Sequence, residues 1–155
     1  MLRVLGYPVQ LTRDTDRSLH DPSASTIREK KVSDMKNRLA LYNASRLTVS
    51  IHANQFTQPQ YSGAQVFYGT GSPESRGLAQ SIRTSVLSLL QPDNTRELKV
   101  GGKDIYLLYH ATSPAVLVEC GFLSNAQELQ QLKTPAYQQI MALAIACGIM
   151  AYRPL

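Results

Sequence analysis

Cysteine is scarce in this chain: its 155 residues include two, Cys120 and Cys147. Two cannot form a disulfide framework, and neither belongs to a CxxC pair or has a histidine at zinc-site spacing. Both read as buried free thiols, with a bridge between them the less favoured arrangement. No elbow motif presents a Ser or Cys nucleophile, so covalent hydrolase chemistry has no visible carrier. No low-complexity tract or internal repeat stands out. Residues 140–150 are apolar but fall short of the ~20 residues that a membrane span needs. The opening Met1-Leu2-Arg3-Val4-Leu5-Gly6-Tyr7-Pro8 lacks the basic start and long apolar core of an export signal. The basic residues come without a nucleic-acid reading motif or interleaved aromatics, which argues against nucleic acid as a partner.

What is present is an ordinary globular composition, 43% hydrophobic and 17% charged, at a length that suits one domain. The net charge of +5 is uneven, because residues 1–46 carry nine Lys or Arg against five Asp or Glu. Arg28, Lys30, Lys31, Lys36 and Arg38 lie on an expected helix. They read as a solvated face or as an attraction toward an anionic polymer or surface.

Hydrophobic patterning predicts strands over 4–12, 47–52, 64–68, 105–109 and 114–119. Helices are expected from Thr26 to about 44, from Ser72 and Pro73 to about 90, and over 126–132 and 135–152. The first helix should face inward through Ile27, Met35, Leu39 and Tyr42, and the second through Leu78, Ile82, Val86 and Leu89. The alternation implies an α/β fold with a mainly parallel twisted sheet and helices on both faces. Only one helix precedes the second strand, so the N-terminal side looks thin.

Two strand ends carry chemistry. Glu119 closes the run Pro114-Ala115-Val116-Leu117-Val118, where burial penalises charge. A carboxylate there can act as general base, general acid or metal ligand, or be a partly solvated acid paired with an Arg. His52 closes Thr48-Val49-Ser50-Ile51, placed to serve as metal ligand or acid/base, or to hydrogen-bond the backbone. Asn54, two residues on, would point to the same side of an extended chain or form a turn. Parallel strands bring their carboxyl ends to a common edge, so His52 and Glu119 share one expected site. The pair suits metal-assisted hydrolysis.

Ser50-Ile51-His52-Ala53-Asn54 and Val118-Glu119-Cys120-Gly121-Phe122-Leu123-Ser124-Asn125 resemble the two C-terminal signatures of the zinc-dependent N-acetylmuramoyl-L-alanine amidases of the amidase-3 family. Gly6-Tyr7-Pro8-Val9-Gln10-Leu11-Thr12-Arg13, Asn37-Arg38, Ser62-Gly63-Ala64-Gln65-Val66-Phe67-Tyr68 and Leu78-Ala79 extend the resemblance along all 155 residues. The Cys-Gly-Phe-Leu-Ser-Asn tail is most similar to the spore cortex and germination branch. The resemblance implies hydrolysis of the amide joining muramic acid to L-alanine in peptidoglycan, outside the cytoplasm in the cell envelope or spore cortex. It also implies zinc held partly by His52, and Glu119 as the catalytic carboxylate. Asn54, Ser124 and Asn125 flank this expected site and can bind substrate, or cap and turn the backbone. Arg13 and Arg38 either meet the anionic stem peptide or pair with Asp16 and Asp34.

The family's opening strand with its Gly-His-Gly-type motif, and the helix carrying a ligand Glu, have no match. The expectation is therefore a single amidase-3-like domain over 1–155, N-terminally truncated, with His52 as the one matched zinc ligand. His20 and His110 read as structural or solvent-exposed. Such a sheet should expose unpaired backbone and favour self-association or an accessory chain that completes it. The rival reading is a metal-deficient, non-catalytic domain that binds muropeptide or a protein partner.

Overall fold

The structure, a computed structural model, describes residues 1–153. The first helix, α1 (Ile27–Ala44), starts where the sequence sets a capping box. Thr26 Oγ1 accepts the Glu29 amide at 3.2 Å while Glu29 Oε2 accepts the Thr26 amide at 2.9 Å, satisfying donors that a helix start leaves open. Tyr42 is buried and Leu39 packs beside it, but Ile27 is 88% exposed and contributes nothing to the core. A polar strap docks on the middle of the helix: Asp34 accepts the Leu19 amide, and Asn37 donates to the Leu19 carbonyl and to Asp21, which also accepts from Ser33.

Then come β1 (Thr48–Asn54), β2 (Gln65–Tyr68), α2 (Glu74–Leu89), β3 (Lys99–Val100), α3 (Tyr106–His110), β4 (Ala115–Phe122), α4 (Ala126–Leu132) and α5 (Pro135–Ala151). The described strands form one sheet in the order β1-β4-β2-β3. The β1–β4 and β2–β3 ladders are parallel, and the central β2–β4 ladder is antiparallel. The expected mainly parallel sheet is thus a mixed one, because β2 runs against β4.

Helices cover both faces. On one, Leu78, Ile82 and Val86 of α2 and Met141, Ala144 and Ile145 of α5 bury Val66, Val116, Val118 and Cys120. Leu89, expected in the α2 stripe, is exposed. The helices meet closely because Gly148 has no side chain: a Cβ there would lie 2.4 Å from Ile82 Cα. On the other face, Tyr42, Leu108 and Ala111 pack on Ala115 and Leu117.

Two expected strands form otherwise. Residues 4–12 are not a strand: they open in a turn in which the Gly6 amide bonds the Arg3 carbonyl, and Val4 is 89% exposed. A strand needs a partner ladder, and this segment pairs with none of the described strands. The run at 105–109 is instead the helix α3, burying Leu108. Periodicity alone does not separate the two forms in a run this short.

Candidate active site

Alternation along β4 sends Val116, Val118 and Cys120 into the core under α2 and α5, leaving Ala115, Leu117 and Glu119 on the opposite face. The apolar cover from α1 and α3 ends at Leu117, so Glu119 is the next side chain along that face. Its partner across the β1 ladder is His52, in direct register, and across the β2 ladder it is Gln65. The row His52, Glu119, Gln65 crosses three strands. Neither His52 nor Glu119 ends its strand, as the apolar runs suggested. Pairing resumes between Asn54 and Phe122 after a bulge, and the Leu123 amide bonds the Asn54 carbonyl at 2.6 Å.

The electrostatics of the row are uneven. Glu119 is half-buried, and its Oε2 is buried with no hydrogen-bond partner. Desolvation raises its pKa above the ordinary carboxylate value. His52 keeps one side to solvent, and its Nε2 lies 2.9 Å from Ser50 Oγ. Desolvation of the flank against the sheet, with the Arg38 charge adding, lowers the His52 pKa and favours the neutral ring. A neutral imidazole beside an unpartnered carboxylate offers one lone-pair donor and one proton acceptor.

The flanking residues divide by role. The bulge between His52 and Asn54 interrupts the alternation that would have set their side chains on one side. Ser124 Oγ accepts the Phe56 amide at 3.1 Å. Asn125 caps α4 by accepting the Gln127 and Glu128 amides, and its Nδ2 donates to the Pro59 carbonyl at 2.9 Å. Both thus brace the loop between β1 and β2. Glu128, which the sequence reading passed over, is buried and accepts the Gly63 and Phe122 amides at 2.8 and 2.7 Å. It clamps the end of β4 to the approach to β2. Gln65, also passed over, is buried beside Glu119, its amide donating to the Glu97 carbonyl. A polar residue on the inward beat of an apolar strand was the available signal.

Other candidates lie apart. Arg38 pairs with Asp34 at 2.7 Å and Arg13 with Asp16 at 3.7 Å. His20 bonds Ser18, and His110 rests against the Tyr106 and Tyr109 rings. Cys120 and Cys147 are free thiols. Burial, with the Glu119 charge adding, pushes Cys120 up to about 11, which leaves it an inert thiol.

A catalytic zinc takes three protein ligands and keeps a fourth position open. Among the described residues no group of three or more His, Cys, Asp or Glu side chains converges to hold a metal ion. His52 and the unpartnered Glu119 oxygen are the donor atoms that the described residues set beside each other on this row.

The chain is 33% identical over 153 residues to the germination-specific N-acetylmuramoyl-L-alanine amidase of Bacillus subtilis, covering 97% of this chain and 64% of that one. It therefore spans less than two thirds of that curated relative. Among solved structures, the CwlD amidase of Clostridioides difficile, in complex with the GerS lipoprotein, superposes with a TM-score of 0.89 at 39% identity, covering 97% of this chain and 78% of that one. The catalytic domain of CwlV, an N-acetylmuramoyl-L-alanine amidase from Bacillus (Paenibacillus) polymyxa var. colistinus, does so with a TM-score of 0.65 at 28% identity, covering 76% and 64%. The Amidase_3 family profile, described as N-acetylmuramoyl-L-alanine amidase, matches residues 1–151, and the chain belongs to that family.

Proposed function

We propose that this chain hydrolyses the amide between N-acetylmuramic acid and L-alanine in peptidoglycan. The observation that carries the proposal is the register pair of His52 and Glu119, with a Glu119 oxygen buried and unpartnered. Burial raises the Glu119 pKa, which strengthens the carboxylate as a proton acceptor. Glu119 takes a proton as water attacks the amide carbonyl and delivers it to the nitrogen as the carbon–nitrogen bond breaks. The products are the lactyl carboxyl group and a free L-alanine amine. His52 flanks the reacting centre from β1. Asn54, Ser124 and Asn125 belong to the proposed substrate-facing rim, the last two through the loop they brace. His52 is the family's zinc ligand by position, and a full ligand set requires donors beyond those described.

The proposed location is the extracytoplasmic cell envelope or spore cortex, in keeping with the germination-specific relative. Among the described residues no single helix is long and apolar enough to cross a membrane. Arg28, Lys30, Lys31 and Lys36 are exposed on α1 and favour approach to an anionic wall. The edge strand β1, with Ile51 61% exposed, supports completion of the sheet by a second copy or an accessory chain.

The rival reading is a non-catalytic domain that binds muropeptide or a protein partner. Release of amines from purified peptidoglycan, measured with zinc content per chain, separates the two. Turnover with about one bound zinc, abolished in Glu119→Ala while the metal stays, supports hydrolysis. No turnover and no zinc at metal excess sinks it.

A further inference from the structure

The loop between β1 and β2 folds an aromatic group beside the site. Phe56 meets Tyr61 edge-on with ring centroids 5.1 Å apart, and Tyr61 lies 6.2 Å from the buried Phe122. Arg96 rests on this group, its guanidinium carbon 4.5 Å from the Phe122 centroid and 5.6 Å from that of Tyr61. Its Nε donates to the Ser62 carbonyl at 2.6 Å and its Nη1 to Gln65 Oε1 at 3.4 Å. Gln65 is the ladder partner of Glu119. Arg96 therefore stands one strand from the reacting carboxylate, on the side opposite His52.

Its charge is unbalanced. Arg13, Arg38 and Arg83 each pair with a carboxylate, whereas Arg96 pairs with none among the described residues, and its Nη2 donates to no described group. Stacking on rings holds the plane of a guanidinium and removes water from its faces. A half-buried cation fixed by four contacts, with an outer edge free and no counterion, is a preformed fork for a planar anion.

We propose that Arg96 and the Tyr61–Phe122 platform form a subsite for a carboxylate of the stem peptide, a specificity determinant of the reaction proposed above, on which this inference rests. A substrate whose scissile amide lies over Glu119 reaches Arg96 by extending across β2. The carboxylate completes the ion pair that the chain leaves open. Amidation of that carboxylate removes one acceptor oxygen and the charge, so the subsite discriminates free from amidated peptides.

The test uses Glu119→Gln, to block turnover, and two probes: N-acetylmuramoyl-L-alanyl-D-glutamate with a free α-carboxylate, and its α-carboxamide. Titration calorimetry should show the free acid binding about tenfold tighter, as one charge-assisted contact would give. Adding Arg96→Gln should bring the free acid down to the affinity of the amide, and Arg96→Lys should keep part of the gap. Equal binding of the two probes before Arg96 is changed would overturn the subsite, and needs no variant at Arg96 to fold. Loss of both probes in equal measure on Arg96→Gln would also overturn it, marking Arg96 as a clasp for Ser62 and Gln65. If the wild-type chain cleaves both probes at equal kcat/KM, the subsite alone fails. If it neither binds nor cleaves either, the amidase reading fails with it.

Discussion

Glu119 is held half-buried, with one oxygen unpartnered, at the expense of stability. Its burial raises the pKa, so the folded state disfavours the ionised form. Below the unfolded value near 4.5 this has no cost; as pH rises through the folded pKa the destabilisation grows, and it persists at neutral pH. Glu119→Gln should therefore raise Tm at pH 7, with the gain shrinking toward pH 4, while amide hydrolysis falls at least about 100-fold. Thermal melts across that range and an amine-release assay check both halves. A lower Tm at pH 7 would mean that the carboxylate has a stabilising partner.

Helix α1 depends on its cap. Hydrogen bonds from the Thr26 backbone, foremost, and from Ser25 hold Glu29 down to about 2. A lowered carboxylate pKa stabilises above the unfolded value of 4.5 and loses that contribution as pH falls through 2. Helical signal should thus decline between about pH 4.5 and 2, and Glu29→Gln should flatten that limb in a circular dichroism titration. On the opposite face, Gly148→Ala places a methyl against the Ile82 backbone and should cost about 1–3 kcal/mol by overpacking. Ile82→Ala leaves a cavity worth about 2–5 kcal/mol. Denaturant midpoints separate these from α1 variants, which lie away from the α2–α5 contact.

At the scale of the molecule, the edge of β1 is the exposed feature. Ile51, in register with Val118, is exposed on a strand paired along one edge only, and Val4 is exposed as well. An open edge with an apolar residue invites another strand, and a charge there blunts it. Ile51→Lys should reduce self-association in sedimentation experiments by at least twofold in apparent association constant. An unchanged or stronger association would place the contact elsewhere.

The four longer helices and the strands that carry His52 and Glu119 were legible in the sequence alone. Thr26, Pro73, Asn125 and Pro135 mark helix starts through local backbone chemistry, and apolar runs ending in His52 and Glu119 mark strands with chemistry attached. These signals act over a few residues, so they are legible without a fold. Tertiary structure decided what depends on distant partners. Residues 4–12 have strand composition but no neighbour to bond, β2 runs against β4 and makes the sheet mixed, and α3 coils to bury Leu108. Arg96, 23 residues before Glu119 in the chain, reaches its flank because the β2–β4 ladder sets Gln65 between them. No local pattern encodes that row, since hydrogen bonding between strands fixes its register.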